Sequence, residues 1–534
     1  DSDLAIYAHI IHQKFPTLGA SMIHSSLLPD ITVPETLLTP FVLQHAQRLS
    51  SEPALVEGST GRSLTYAEFT EQVKALAGGL QQRGFGKGDV LAIMAPNVPE
   101  YAVVFHGTAW AGSTVTTVNP TYTAHEVKHQ LKDSGAKLLV TVSMFLSVAQ
   151  EAVEGTDVEE IFTIDPSDVA SLSSLAGEPL EDQVEVSPDD TVALPYSSGT
   201  TGLSKGVMLS HRNLVANLLQ TSAMLPIAEG ETILSFLPFF HIYGMQVLMN
   251  SALAQGGKVV TMARFDLEQF LQLSQDYKVT RAFVAPPIVL ALAKHPMVDN
   301  YDLSTLQSVF SGAAPLGAEL AEEAATRLGC EVVQGYGMTE LSPVSHATPA
   351  GQFKPGTIGI LTPSTMGQIV DPESGKGLGI GEDGEIWVKG PQVMTGYLNN
   401  VEATAATIDE DGWLHTGDVG HVDDDGHFTI VDRLKELIKF KGFQVPPAEL
   451  EALLVTHPAI ADAAVIGVPD DEAGELPKAF IALKEGESTS AEEIQRFVAD
   501  KVASYKQVRI VQFVDSIPKS ASGKILRRLL RDQS

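Results

Sequence analysis

Residues 197–206 read Ser-Ser-Gly-Thr-Thr-Gly-Leu-Ser-Lys-Gly. Ser197, Ser198, Thr200 and Thr201 surround Gly199 and Gly202, and Lys205 follows. Glycine lets a backbone turn tightly and approach a ligand closely. Consecutive backbone N–H groups in such a loop form an anion-binding nest, to which hydroxyls add donors. Lys205 supplies a mobile point charge for a phosphate. The apolar runs from Thr191 to Pro195 and from Val207 to Leu209 predict a strand on either side. The loop therefore joins two strands rather than opening a helix. Its spacing is neither G-x-x-x-x-G-K-S/T nor G-x-G-x-x-G after a strand, which excludes the P-loop and the dinucleotide fingerprint. A plain Ser/Gly linker seldom carries a lysine between two β-rich apolar runs.

Outward from this loop the chain alternates strand and helix signals. Before it, Val90 to Ala95, Val115 to Val118, Leu138 to Val142 and Ile161 to Ile164 read as strands. After it come Thr232 to Leu237, Lys258 to Met262, Arg281 to Ala285, Gln307 to Phe310 and Glu331 to Gln334. Such alternation predicts α/β architecture with parallel sheets covered by helices. Ligands in open α/β sheets bind beyond the carboxyl ends of the strands. From Gly356 to Val431, short β-like runs broken by Gly, Asp and Pro predict a small distorted β-barrel, about 346–432. Beyond Lys435 the pattern is a small α+β unit of about 100 residues. The predicted organisation is a large N-terminal domain, 1–432, a hinge at 433–435, and a small mobile C-terminal domain, 436–534.

At 534 residues the chain exceeds what one core supports. Apolar content of 44% and charged content of 19% fit a globular protein, and no run is long and apolar enough for a membrane span. The N-terminal stretch lacks a basic n-region, so no signal peptide is expected; residues 1–24 differ in texture from the remainder and read as an extension or as a non-native remnant. Cys330 is the single cysteine, which excludes an intrachain disulfide and fits a reducing, cytoplasmic setting. The net charge of −31 is uneven. From Arg433 onward there are 15 Lys+Arg and 15 Asp+Glu, so residues 1–432 hold all of the excess. Such a field opposes nucleic-acid binding, and any nucleotide site must be locally basic. A monomer or homodimer is expected.

Five further stretches carry chemistry. Residues 335–340, Gly-Tyr-Gly-Met-Thr-Glu, follow a predicted strand. Tyr336 offers a flat wall, Thr339 a hydroxyl and Glu340 a hard oxygen suited to Mg²⁺; an ordinary loop is the equal alternative until 197–206 is set beside it. Residues 412–418, Gly-Trp-Leu-His-Thr-Gly-Asp, end in a turn carboxylate, Asp418, able to accept two hydroxyls or to stand as an exposed turn aspartate. Within 431–445, Arg433, Lys435, Lys439 and Lys441 fall inside nine positions. A solvated basic face is the plain alternative, but Leu434, Leu437, Ile438 and Phe440 are too apolar for a free linker. Residues 518–524, Pro-Lys-Ser-Ala-Ser-Gly-Lys, put Lys524 at the tip of a small-residue turn before a predicted helix, Ile525 to Leu530. Residues 236–244, Phe-Leu-Pro-Phe-Phe-His-Ile-Tyr-Gly, are an aromatic cluster in which a lone His241 is more often packing than catalysis.

Together and in this order, these stretches resemble the adenylate-forming enzymes: acyl-CoA synthetases, 4-coumarate–CoA ligases, luciferases and adenylation domains. The likeness is nearest to the 4-coumarate–CoA ligase group, through Phe240 to Tyr243, Tyr336 to Glu340 and Lys439 to Gln444. Ser204 departs from that family's usual proline, which loosens the loop without removing a phosphate contact. The resemblance implies an AMP-forming acid–thiol ligase that uses ATP, Mg²⁺ and coenzyme A. It implies nucleotide contacts from Ser197, Ser198, Gly199, Thr200, Thr201, Gly202, Lys205, Gln334, Gly335, Tyr336, Thr339, Asp418, Arg433 and Lys435, with Glu340 on the metal. It places His241, Tyr243, Ala313, Gly335, Gly337, Pro343 and Val344 at the acyl pocket, and Arg264, Lys441 and Gly442 at CoA. Lys524 would serve adenylation together with Thr339 and His241, Lys439 and Gln444 would serve the thioester step, and Lys435 would be the hinge. The implied substrate is a 4-coumarate- or cinnamate-type aryl acid, with fatty acids as the alternative. A carrier-protein adenylation module is disfavoured because no carrier-domain serine motif follows. A non-catalytic homologue is disfavoured because all three lysines are present.

Overall fold

The computed structural model describes residues 22–197, 204–441, 443–470, 472–520 and 523–532. The expectations placed on Ser198, Gly199, Thr200, Thr201, Gly202, Gly442 and the first 21 residues lie outside the described residues. Within them the strands form five sheets. The largest runs in the order Gly396–Tyr397, Lys205–Ser210, Thr191–Ser197, Thr114–Thr117, Val90–Met94, Ala136–Thr141, Glu160–Thr163 and Ala170–Ser171. From Thr191–Ser197 onward its neighbours are parallel. Strands covered on both faces read as continuous apolar runs, and Val-Leu-Ala-Ile-Met at 90–94 is buried at its last four positions. Lys205–Ser210 turns back antiparallel, with Lys205 opposite Ser197. The two flanking strands thus pair with each other, as their apolar runs predict, while the glycine-rich residues between them lie outside the described residues.

A second sheet sets Thr232–Ser235, Lys258–Thr261 and Pro53–Glu57 parallel, with Ser63–Thr65 antiparallel at the edge. A third sets Arg281–Val284, Ser308–Ser311 and Glu331–Gly337 parallel and then reverses into Val344–Ala347. One apolar cluster runs through all three, from Leu38 to Tyr397. Three of the helices between them start on reciprocal side-chain caps. Thr65, Thr123 and Ser210 each accept the N–H three residues on, and the residue at that third position bonds back to the cap N–H.

The fourth sheet is the curled antiparallel one, Met366–Val370, Gly384–Lys389, Leu414–Val422 and Phe428–Arg433. His24–Ser25 forms its edge, paired with Gly367 and Met366. Residues 24–25 therefore belong to the barrel-like part, which corrects the reading of 1–24 as an extension throughout. The fifth sheet joins Phe443–Val445, Ile438–Phe440, Gly474–Leu483 and Ile460–Asp470, with Ile510–Phe513 added parallel. Two apolar clusters lie entirely within residues from Ile438 onward. The C-terminal segment thus has a core of its own. The last helix begins later than its apolar pattern predicts, at Arg527–Arg531, because Ile525 bridges back to Lys519 instead. Among the described residues no helix is long and apolar enough to cross a membrane.

Candidate active site

Asp418 and Arg433 lie opposite each other on adjacent antiparallel strands of the curled sheet. Arg433 Nε stands 3.2 Å from Asp418 Oδ1. From the third sheet, the Tyr336 phenol donates to Asp418 Oδ2 at 2.5 Å. Both carboxylate oxygens are thus oriented by partners from two sheets. Burial, then the Asp418 charge, hold the Tyr336 phenol far above its usual pKa, so it remains a donor.

Two residues beyond the strand that carries Tyr336, Thr339 opens a single helical turn, Thr339–Leu341, and Glu340 is buried within it. One Glu340 oxygen accepts the Tyr397 hydroxyl at 2.8 Å. A carboxylate is a hard oxygen donor. Among the described residues no three His, Cys, Asp or Glu side chains form a metal cluster. One carboxylate completed by substrate phosphates and water is a donor set that suits Mg²⁺. Lys205, at the far end of the glycine-rich hairpin, has its Nζ 4.8 Å from the centre of the Tyr397 ring.

Lys524 reaches this cluster from the C-terminal segment. Its turn is closed by Ser520 N–H to Lys524 O and by Lys524 N–H to Ser520 Oγ, and Gly523 takes φ +83°. Any L-residue is strained at that angle. A Cβ at Gly523 would also lie 3.4 Å from Ala285 Cβ, so this tip packs on the carboxyl end of the strand Arg281–Val284. Burial and Arg433 lower the Lys524 pKa, while Asp418 and Glu340 oppose them. His241 is near enough to feel Lys524: burial first, then that ammonium, push its pKa down to about 3. His241 Nδ1 accepts the Tyr243 N–H at 3.3 Å, which assigns the ring proton to Nε2 in the neutral form. Lys524, Arg433, Asp418, Glu340 and His241 therefore converge, although Lys524 and His241 stand at opposite ends of this stretch of chain.

Beside His241, Tyr243 is buried and its hydroxyl donates to Phe310 O at 3.3 Å. Its ring lies against Gly312, where a Cβ would sit 3.0 Å from Tyr243 Cε1. A Cβ at Gly335 would come 2.2 Å from the Phe310 ring, and one at Gly337 2.2 Å from Pro343 O. Ala313 holds φ +74°, and Val344 is buried. These residues pack closely together around the Tyr243 ring and Phe310. Gln334 has a different occupation: its amide donates to Leu316 O and accepts Leu316 N–H, holding the loop that carries Ala313. Sequence reasoning missed Phe310 and Tyr397, which carry no local motif.

Other named residues lie apart. Lys439 and Gln444 face each other across a hairpin, both exposed. Lys439 N–H donates to Glu475, and Lys441 is exposed at φ +50°. None of the contacts made by the Lys524 cluster involves them. Lys435 is exposed in the turn Leu434–Glu436, which Glu436 N–H closes on Arg433 O. Arg264 is exposed after the strand Lys258–Thr261, and Ser197 is half-buried at the end of its strand.

The family described as AMP-binding enzyme matches residues 42–398, and its companion, AMP-binding enzyme C-terminal domain, matches 449–524. The chain is 45% identical over 523 residues to 4-coumarate–CoA ligase 3 of Oryza sativa subsp. japonica, covering 96% of this chain and 94% of that one. It is 44% identical over 524 residues to 4-coumarate–CoA ligase 1 of Petroselinum crispum, covering 96% of each. ATP-bound MatB from Rhodopseudomonas palustris superposes with a TM-score of 0.85 at 29% identity, over 93% of this chain and 99% of that one. The anthranilate CoA ligase AuaEII, in complex with anthranoyl-AMP, superposes with a TM-score of 0.87 at 25% identity, over 94% and 98%.

Proposed function

The chain belongs to the AMP-binding enzyme family, and from that premise we propose how its residues divide the work of an AMP-forming acid–CoA ligase. Such a ligase joins a carboxylic acid to coenzyme A at the expense of ATP, through acyl-AMP. The observation that carries the division is the convergence of Lys524 with Arg433, Asp418, Glu340 and His241.

In the first step a carboxylate oxygen attacks the ATP α-phosphorus. The bond to the bridging oxygen breaks, and its electron pair leaves with pyrophosphate. Negative charge grows on the phosphoryl oxygens, and preorganised cations and donors there lower the barrier. Lys205, Thr339 and Lys524 fill that role. Asp418 holds the ribose, already oriented by Tyr336 and Arg433, and the Tyr336 ring walls the base. Glu340 holds the metal, which when bound neutralises phosphate charge. His241 is neutral at pH 7, so its Nε2–H orients the substrate carboxylate as a hydrogen-bond donor rather than as a cation. In the second step a CoA thiolate attacks the acyl carbon and AMP departs with the electron pair of the C–O bond. Lys439 and Gln444 serve this step after residues 436–534 turn about Lys435, which withdraws Lys524. Arg264, Lys441 and Gly442 line the CoA path.

The substrate class we propose is a planar aryl-propenoic acid such as 4-coumarate. The support is the likeness to curated 4-coumarate–CoA ligases over nearly the whole chain, and we assign the acyl group to the neighbourhood of Tyr243, Ala313, Gly335, Gly337, Pro343 and Val344, where an aromatic wall would suit a flat ring. One methylene changes binding in such a pocket by only about 1–3 kcal/mol, so medium-chain acids should be poor substrates rather than inert ones. The proposed setting is a reducing cytoplasm, in keeping with the single thiol of Cys330. ATP–pyrophosphate exchange over a panel of acids tests both levels. We expect a higher kcat/KM for 4-coumarate or cinnamate than for octanoate or palmitate. Preference for either fatty acid would overturn the substrate class, and exchange with no acid would overturn the chemistry.

A further inference from the structure

Tyr397 has no part in the roles assigned above, yet it touches two of the groups that carry them. It ends the short strand Gly396–Tyr397, opposite Val207 of the hairpin that presents Lys205. It is buried, its hydroxyl donates to Glu340 Oε1 at 2.8 Å, and Lys205 Nζ lies 4.8 Å from its ring centre. The backbone around it ties to the same two segments: Met394 N–H donates to Glu340 O, and Leu398 N–H donates to Gly206 O. One side chain thus spans a carboxylate and an ammonium from segments 135 positions apart.

Each contact restrains a group that is otherwise free to turn. A carboxylate fixed through one oxygen presents the other in a set direction, and such outer partners of a metal ligand govern metal affinity. Lysine is a point charge on a flexible four-carbon stem, and the face of an aromatic ring gives its ammonium a seat. A tyrosine hydroxyl beside a carboxylate oxygen is the donor of that bond. We infer that Tyr397 is a positioning residue: it sets the Glu340 carboxylate and the Lys205 ammonium at a fixed spacing, the spacing that a metal-bound triphosphate requires. This rests on the reading of the cluster as an ATP site. A tyrosine that merely packs makes no such link between metal dependence and nucleotide binding.

The test uses the full chain, titrated calorimetrically with an ATP analogue carrying a methylene bridge between the α- and β-phosphates. Mg²⁺ is varied, EDTA marks its absence, and AMP is the control ligand. In Tyr397→Phe, the Mg²⁺ concentration for half-maximal analogue binding should rise about tenfold, with AMP affinity unchanged. Tyr397→Leu should also weaken analogue binding in EDTA, because Lys205 loses its seat. Should the leucine variant not fold, the phenylalanine variant alone decides. An unmoved Mg²⁺ requirement in Tyr397→Phe, or a parallel loss of AMP and analogue affinity, overturns the inference. A wild-type protein whose analogue binding ignores Mg²⁺ overturns the site reading first, and the inference with it.

Discussion

Lys524 and Lys439 are chemically alike and differ in where the chain holds them. Lys524 lies among Arg433, Asp418, Glu340 and His241, and Lys439 stands exposed on the far hairpin. Removing a donor aimed at developing charge costs about 10²–10³ in rate. Lys524→Ala should therefore lose pyrophosphate exchange by about that factor and still convert supplied acyl-AMP to the thioester. Lys439→Ala should do the reverse, since nothing in the present arrangement brings it to the nucleotide groups. Equal loss of both half-reactions in either variant would show that the two lysines do not divide the steps. Residues such as Lys524, Asp418 and Glu340 were legible because each sits in a short motif whose spacing carries chemistry. Tyr397 and Phe310 were not, because what matters about them is a neighbour from another sheet. Gln334 was half legible: its strand-end position was readable, but its amide bonds to Leu316 rather than standing free.

At the scale of elements, the joint between strand Phe428–Arg433 and the C-terminal segment is a buried charged knot. Asp432 Oδ2 accepts Ala448 N–H at 2.7 Å, at the start of the helix Pro447–Leu454. Glu451 on that helix pairs with Arg527, and Arg531 pairs with Glu436, just past Lys435. The helix that follows the Lys524 turn is thereby fastened to the turn that contains Lys435. If residues 436–534 swing about Lys435, the bond from Asp432 to Ala448 belongs to the present arrangement alone. Loss of such a cap costs about 0.5–2 kcal/mol, and the loss falls on one arrangement only. Asp432→Ala should thus depress pyrophosphate exchange several-fold more than thioester formation from acyl-AMP. Matched losses would place the swing elsewhere. The elements themselves were largely legible, since strands buried on both faces announce themselves as apolar runs. The knot was not: in the sequence its members are scattered acids and bases of a segment with zero net charge. Nor was the place of His24–Ser25, a two-residue edge strand too short to carry any periodicity.

Over the whole molecule, charge and burial pull in different directions. The formal charge of −31 repels anionic substrates at long range, so the positive groups around Lys524 must act locally, in a site where solvent screens them little. Burial acts on another set of groups, the histidines. His106, His241 and His346 are pushed down to about 3 and His211 to about 4, in each case chiefly by desolvation. In the unfolded chain each titrates near 6.5. Their folded pKa values are depressed, so the folded state stays neutral there while the unfolded chain takes up protons. The stability they contribute is complete above pH 6.5 and is lost as pH falls from there toward 4. Each proton held only by the unfolded chain costs about 1.4 kcal/mol per pH unit, so these four give a slope of up to about 5 kcal/mol per unit, to which His24 and His427, also lowered by burial, add. The raised carboxyls of Asp432 and Glu451 oppose this only near the acid end, close to ordinary carboxyl values. Urea midpoints at pH 7.5, 6.5 and 5.5 should therefore fall, and most steeply over the last interval. His211→Asn tests the attribution. His211 Nδ1 accepts the Leu38 N–H at 3.1 Å, and an asparagine oxygen can take that bond without titrating. The variant's slope between pH 6.5 and 5.5 should be shallower by one histidine's share, up to about 1.4 kcal/mol per unit. A wild-type stability that stays flat over this range would show that these rings are charged within the fold.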